Sequence, residues 1–175
     1  MTLNDFFRKR IFEPLGMTDT YFHVPKEKAS RLVNLYREDS TGKLVKAESR
    51  MLNGPVGADY PLHNSSYYSG GAGLSSTIYD YGVFLQMLLN NGIYNGKRIL
   101  SRNTVRIMTM NQIGDLSRGD DKFGLGFQII SEKGSGRTPA QAGTFSWGGA
   151  FATSYWVDPK EKIVMLFYRQ LQGST

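Results

Sequence analysis

Apolar residues recur at two different periods along this chain, and the change comes past its middle. Near the start, Leu3, Phe6, Phe7 and Ile11 fall at helical spacing with charged residues between them, which predicts a helix over residues 2–12. Thr2 or Asn4 offers an oxygen to cap it, and Pro14 with Gly16 supplies the stop signals. Such an amphipathic helix needs an apolar partner, which we expect to precede residue 1. Residues 31–47 carry a hairpin pattern: Leu32-Val33-Asn34-Leu35-Tyr36 and Leu44-Val45 flank Asp39-Ser40-Thr41-Gly42, where Gly42 suits a positive φ. Residues 48–70 show no period and read as a long loop, either functional or a surface excursion. The strongest helical signal covers 76–91, with Ile78, Tyr81, Leu85 and Leu88 in one stripe and Phe84 and Leu89 widening it. Ser76 or Thr77 caps its start, Thr77 and Asp80 have capping-box spacing, and Asn91-Gly92 stops it. A second helix is predicted from Ser101, its N-cap, to near Asn111, with Leu100 and Val105 as a hydrophobic staple.

Beyond residue 120 the period falls to two. Phe123–Ile130 predicts one strand and Thr144–Val157 a second, with Phe151, Thr153, Tyr155 and Val157 on one face. Asp158-Pro159-Lys160-Glu161 predicts a turn, and 131–143 a local loop. Ile163–Tyr168 is apolar on both faces, which predicts a central strand covered from both sides. There is no internal repeat.

Composition narrows the class. Hydrophobic residues make up 40% of the 175 positions and charged residues 21%, a globular balance rather than a disordered or fibrous one. The length fits one domain or a large piece of one. A net charge of +6 raises nucleic acid or an anionic surface as partners. Lys and Arg are spread along the whole length, however, and the longest basic group, Arg8-Lys9-Arg10, falls on the first helix, where it reads as a solvated face. No nucleic-acid partner is expected. The absence of cysteine excludes disulfides, thiolate metal sites and cysteine nucleophiles. Residues 1–7 lack the apolar core of a secretory signal, and no stretch approaches the ~20 apolar residues of a membrane span.

Nucleophilic chemistry needs a serine with a base in reach and donors for the oxyanion. One S-x-x-K occurs, Ser40-Thr41-Gly42-Lys43, but it falls in the hairpin turn, where nothing would bury the lysine. Ser101-Arg102-Asn103 matches S-x-N, yet Ser101 is explained as a helix cap. His23 and His63 lie in loops without an adjacent Ser/Asp pattern, and no His, Asp and Glu cluster has metal-ligand spacing. Gly70-Gly71-Ala72-Gly73 fits neither a dinucleotide loop nor a phosphate loop with lysine, so no metal or cofactor is expected. One segment remains, Gly143-Thr144-Phe145-Ser146-Trp147-Gly148-Gly149-Ala150-Phe151-Ala152-Thr153. Two glycines weaken a strand, so either another backbone packs closely there or a ligand approaches its edge. The pattern alone leaves both readings open.

Several segments then resemble class C β-lactamase-like, penicillin-recognising serine hydrolases. Ile11-Phe12-Glu13-Pro14-Leu15-Gly16-Met17-Thr18-Asp19-Thr20 looks like the segment after that family's second active-site element. Gly70-Gly71-Ala72-Gly73-Leu74-Ser75-Ser76-Thr77 with Asp80 and Phe84-Leu85, Asn95 through Ser101, Phe123-Gly124-Leu125-Gly126-Phe127, and Trp147-Gly148-Gly149 through Trp156-Val157-Asp158-Pro159 follow in the family's order.

The resemblance implies an α/β fold of the α+β kind: a β-lactamase/transpeptidase-like antiparallel sheet with flanking helices, here incomplete. It implies that 1–175 is the C-terminal part of a single domain. The nucleophile's S-x-x-K helix and the Tyr-x-Asn loop would lie before Met1, and a last helix would follow Thr175. Trp147-Gly148-Gly149 stands where the family has Lys-Thr-Gly, so Trp147, Gly148, Gly149 and Ala150 would line the pocket and the Ala150 amide would be an oxyanion donor. Tryptophan in place of the lysine cation shifts the expected chemistry from β-lactams and peptide termini towards esters. The chain is thus expected to be a fragment of a serine acyl hydrolase, inactive alone, whose parent takes a small-molecule ester, amide or β-lactam-like substrate. A non-catalytic ligand- or peptidoglycan-binding module of the same fold is the alternative. The fragment reading also predicts an exposed sheet edge through which the chain self-associates. An extracytoplasmic bacterial location and a cytoplasmic one are both compatible with the resemblance.

Overall fold

A computed structural model of the chain describes residues 1–47, 58–63 and 66–173. The aperiodic stretch predicted over 48–70 lies partly outside the described residues. In chain order the elements begin with α1 (Leu3–Phe7), a π-helical stretch (Arg8–Phe12), α2 (Glu13–Leu15) and a 3-10 turn (Lys26–Arg31). The strands β1 (Tyr36–Glu38) and β2 (Leu44–Lys46), a 3-10 turn (Tyr60–Leu62) and the helix α3 (Ile78–Leu89) follow. Then come β3 (Ile93–Tyr94), β4 (Lys97–Arg98), α4 (Arg102–Met108), β5 (Lys122–Phe123), β6 (Gln128–Ile129) and α5 (Glu132–Ser135). The last strands are β7 (Phe145–Gly148), β8 (Thr153–Asp158), β9 (Ile163–Tyr168) and β10 (Leu171–Gln172). Two compact units result. One comprises Met1–Asp80, Gly149–Thr153 and Tyr168–Thr175; the other comprises Tyr81–Gly148 and Ser154–Phe167. The mixture of helices and largely antiparallel sheet is the expected fold class.

In the first unit, Thr2 caps α1 in a capping box: its Oγ1 accepts from the Asp5 N–H while the Asp5 carboxylate accepts from the Thr2 N–H. The helix continues past the predicted end at residue 12. Pro14 has no N–H, and its ring would collide with the carbonyl four residues back in an α-helix. A wider π-helical turn, in which the Glu13 N–H reaches the Arg8 carbonyl, precedes it. Gly16 then turns left-handed at φ 70, and Met17 N–H bonds Phe12 O at 2.9 Å, joining two buried side chains in a Schellman ending. One apolar partner lies within the chain, although no residue of α1 is buried and Phe6 is exposed. The Phe7 ring sits 5.8 Å from Phe22, which meets Tyr68 at 5.2 Å. The hairpin forms as predicted around Gly42, but its first strand begins at Tyr36 rather than Leu32. β1 also pairs in parallel with β10, Tyr36 opposite Leu171, completing the sheet β10-β1-β2.

The second unit is built on the sheet β5-β6-β7-β8-β9. Three strand predictions need correction. Phe123–Ile130 is a tight hairpin, with Phe123 opposite Gln128 and Gly126 at φ 94, because glycine lets the chain reverse where only a side-chain period was visible. Thr144–Val157 is also a hairpin; Phe145 pairs with Val157 and Gly148 with Ser154, while Phe151 falls in the turn. Among the described residues, β9 lies at the end of the sheet order rather than at its centre. Ile163, Met165 and Phe167 on one face are about half exposed, at 51%, 55% and 54%. Its other face meets α3, where Leu166 lies next to Gly82. The α3 stripe is wider than predicted. Val83, Leu85, Met87 and Leu88 are buried, while Ile78 is exposed. An aromatic row, Phe84, Tyr81, Tyr155, Phe127 and Phe145, runs through this core at centroid spacings of 5.2–6.4 Å. Burial pushes the Tyr81 phenol up from its usual range.

Asp80 does more than its capping-box spacing foretold. Its N–H is capped by Thr77 Oγ1, and its carboxylate, 2% exposed, accepts from the Asp19 N–H at 2.7 Å and Thr20 Oγ1 at 2.9 Å. Asp80→Ala strands both donors, at about 1–3 kcal/mol each. We predict a loss of about 2–5 kcal/mol in urea unfolding, against roughly 1 kcal/mol for Thr20→Val. A smaller loss in Asp80→Ala than in Thr20→Val would contradict the assignment.

Asp19 accepts from Arg31 and Lys28, both at 2.7 Å, and these bonds hold its carboxyl at about 2, below the ordinary 3.8. A depressed carboxyl stabilises the fold fully above its unfolded value, and that contribution is lost as pH falls towards 2. Asp19→Asn is therefore predicted to be less stable than wild type at neutral pH and to converge with it near pH 2. Parallel stability curves across that window would refute the linkage.

Candidate functional site

β7 owes its shape to the hairpin before it. The reversal at Gly124–Phe127 leaves β6 only two residues long, and its register reaches only Phe145 and Ser146. The β8 register continues through Trp147 and Gly148. The first half of β7 is thus flanked on both sides and buried. The second half has, among the described residues, a strand neighbour on one side only, and it is exposed. Trp147 and Gly148 close β7 in the second unit, and Gly149 and Ala150 open the turn that belongs to the first. Gly149 N–H donates to Thr153 O at 2.9 Å, and Ala152 N–H donates back to Gly149 O at 3.0 Å. Ala150 is exposed, and no hydrogen bond among the described residues engages its amide.

The two explanations left open for the glycines meet a specific observation. A Cβ on Gly149 would fall inside van der Waals contact of Thr153 Oγ1. Close packing is therefore one reason for this glycine, and the neighbour is a side chain across the turn rather than another backbone.

Trp147 is 37% exposed, and its indole is framed. Phe123 meets it edge-on at 5.2 Å, and the Arg118 guanidinium lies 4.8 Å from the ring centroid. Arg118 Nε donates to Gln128 Oε1 at 3.4 Å, and Gln128 Nε2 donates to Asp121 Oδ2 at 2.6 Å. Sequence reasoning missed Arg118, counting it among the dispersed cations. No spacing rule links a loop arginine to a strand tryptophan.

The discounted motifs fall where the pattern put them. Ser40 and Lys43 are exposed in the β1–β2 turn, where Asp39 Oδ1 accepts from the Thr41 and Lys43 N–H groups. Ser101 caps α4 through the Thr104 N–H. His23 packs against Tyr60 and Tyr68, and His63 pairs with Asp59 at 2.8 Å on the surface. Ser76, Ser101, Ser131 and Ser135 hydrogen-bond hydroxyls and backbone groups. The glycine run has a packing role: a Cβ on Gly73 would crowd the Ser69 carbonyl at 2.6 Å and the Phe22 ring at 2.9 Å. An open depression of about 320 Å³ around Glu132, Pro139, Gln141 and Lys160 includes none of Trp147, Gly148, Gly149 and Ala150. Among the described residues no group of three His, Cys, Asp or Glu could hold a metal ion, and no helix is long and apolar enough to cross a membrane.

Comparison with known proteins gives a consistent result. The family model described as Beta-lactamase matches residues 1–175. Protein Rv1367c of Mycobacterium tuberculosis is 32% identical over 178 residues, covering 93% of this chain and 42% of that protein. A putative D-alanyl-D-alanine carboxypeptidase of Escherichia coli K12 is 27% identical, covering 94% of this chain and 39% of its own length. The chain therefore spans less than half of the curated relatives it matches. Among solved structures, EstCE1, "a hydrolase with promiscuous acyltransferase activity", superposes with a TM-score of 0.81 at 23% identity, covering 98% of this chain and 46% of that one. At that identity the likeness is one of fold.

The Gly149 contact yields a test. Gly149→Ala is expected to destabilise by about 1–3 kcal/mol through overpacking. Thr153→Ala in the same molecule should recover most of it, a coupling readable in a double-mutant cycle. Strictly additive losses would show that Thr153 is not what Gly149 accommodates.

Proposed function

The chain belongs to the beta-lactamase family, and on that premise we propose that it is the C-terminal part of a single serine acyl hydrolase domain, inactive alone. The nucleophilic serine and its base lie in the remainder of the protein. In the intact enzyme the serine oxygen attacks the substrate's acyl carbon, the alcohol or amine departs with a proton, and water then releases the acid from the acyl-serine. The role of this chain is to present the substrate strand and an oxyanion donor. The observation that carries the reading is the half-open β7, whose second strand neighbour stops at Ser146 while Trp147 and Gly148 continue. Exposed backbone groups of that kind can bond an acyl substrate laid alongside, and the unengaged Ala150 amide is suited to a developing oxyanion.

Trp147 favours ester-type acyl donors over the ligands that a strand lysine would hold. Support also comes from similar proteins: EstCE1 is a hydrolase with promiscuous acyltransferase activity, and the Escherichia coli relative is a putative D-alanyl-D-alanine carboxypeptidase. The apolar outer face of β9 belongs to the same reading, as a surface for the rest of the protein or a second copy.

Fluorophosphonate labelling of the full-length protein, with the modified peptide mapped by mass spectrometry, tests the proposal. The label is expected on a serine outside these residues, while the isolated chain should hydrolyse neither nitrocefin nor p-nitrophenyl esters above background. Labelling of a serine within this chain, Ser40 included, would overturn it. A full-length protein that takes no label would favour the non-catalytic binding module.

A further inference from the structure

We infer that Arg118 is a positioning residue for the proposed reaction: its guanidinium clamps the Trp147 indole in one orientation at the open half of β7, acting through that ring and not on the substrate. The inference rests on the reading of β7 as the substrate strand. Trp147 lies where β7, among the described residues, has a strand neighbour on one side only, and the next residue, Gly148, adds no side chain beside it. The indole is 37% exposed, so the strand alone does not fix its two side-chain torsions. Two further supports come from one short piece of chain. Arg118 opens a tight turn in which its N–H donates to Asp121 O at 2.9 Å and the Asp121 N–H donates back to Arg118 O at 3.2 Å, with Gly119 left-handed at φ 65. β5 follows directly. Its Phe123 meets the indole at 5.2 Å, and the Arg118 guanidinium lies 4.8 Å from the ring centroid.

The clamp is itself anchored. Arg118 Nε donates to Gln128 Oε1 at 3.4 Å, and Gln128 Nε2 donates to Asp121 Oδ2 at 2.6 Å. Asp121 Oδ1 accepts from the Ser131 N–H at 3.1 Å, and a Cβ on Gly134 would collide with that same oxygen, so α5 is fitted against it. The cation stays on the ring because the acids of its own turn are engaged elsewhere. Asp120 pairs with Lys133 and Arg137, and Asp121 gives both oxygens to neutral donors. A guanidinium is planar and weakly hydrated, so it lies on an aromatic face at little desolvation cost. Lysine keeps the charge but has neither the plane nor the Nε–H that Gln128 accepts. With its charge turned onto the indole, Arg118 leaves the preference of Trp147 for neutral ester-type donors intact. What the clamp supplies is preorganisation: a ring already held does not have to be ordered when substrate arrives, nor can it swing across the exposed strand groups.

The test is a double-mutant cycle in the full-length protein, read as kcat/KM on the neutral ester p-nitrophenyl butyrate. An exposed cation–π contact corresponds to about 2–5-fold. Arg118→Gln is expected to lower kcat/KM by about that factor and Arg118→Lys by less, while in a Trp147→Leu background Arg118→Gln should cost nothing further. No loss in Arg118→Gln, or the same loss with and without Trp147, would overturn the inference, the second because it would show that Arg118 acts other than through the ring. A second readout does not depend on turnover. With 5-fluorotryptophan incorporated, the ¹⁹F resonance that disappears in Trp147→Leu reports the indole. It is expected to shift and broaden in Arg118→Gln and to lie between the two in Arg118→Lys; an unchanged resonance in Arg118→Gln would overturn the clamp. Failure of wild type to hydrolyse the ester counts against the proposed function instead, and the ¹⁹F resonance then decides whether Arg118 holds the ring.

Discussion

A buried carboxylate is expensive unless it is met by donors. Asp80 meets that condition by drawing the Asp19 N–H and the Thr20 hydroxyl to the first turn of α3. The rest of the first unit follows from this demand. Tyr21 is held in a two-way backbone bridge with Ser75, and Phe22, next in sequence, is brought to the rings of Phe7 and Tyr68. Phe12 and Met17 close the helix ending immediately before Asp19. A polar requirement at one residue thus sets where the apolar cluster forms, and the cluster in turn leaves no room for a side chain at Gly73.

The candidate site has a comparable origin in backbone geometry. Gly126 lets the chain reverse early, the early reversal shortens β6, and a short β6 leaves half of β7 without a second neighbour. The tryptophan on that open half is then flanked by Phe123 from the same hairpin and by Arg118 from the preceding connection. The surroundings of Trp147 are therefore set by residues before β7 in sequence as much as by the strand's own.

Those two origins explain what could be read from the sequence and what could not. The helices α1, α3 and α4 were legible because their signals are local: Thr77 and Ser101 cap through bonds spanning three residues, and Gly16 stops a helix by its own φ, whereas the four-residue α5 (Glu132–Ser135) fell inside the loop predicted over 131–143. The strand segments were located correctly by their alternation, but alternation records side-chain character and not direction, so two reversals were read as continuous strands. Ile163–Tyr168, expected at the centre, ends the sheet formed by the described residues for a related reason. An unbroken apolar run describes what a strand can be buried by, not how many neighbours it has. At the site, the glycines made Trp147 through Ala150 conspicuous, whereas Arg118 reaches Trp147 by a contact that only folding creates.

The parallel pairing of β1 with β10 has a consequence for biosynthesis. Its strands come from near the two ends of the described chain, and the residues between them include all of the second unit. On the ribosome, the second unit's segments emerge before β10 does, so its antiparallel hairpins, each joining near neighbours, can form first. The first unit must meanwhile keep the Tyr36–Glu38 edge unsatisfied until Leu171 and Gln172 appear. An edge that waits through that interval is exposed to wrong pairing and to chaperones. The charged residues within and beside it, Arg37, Glu38 and Asp39, make that interval safer.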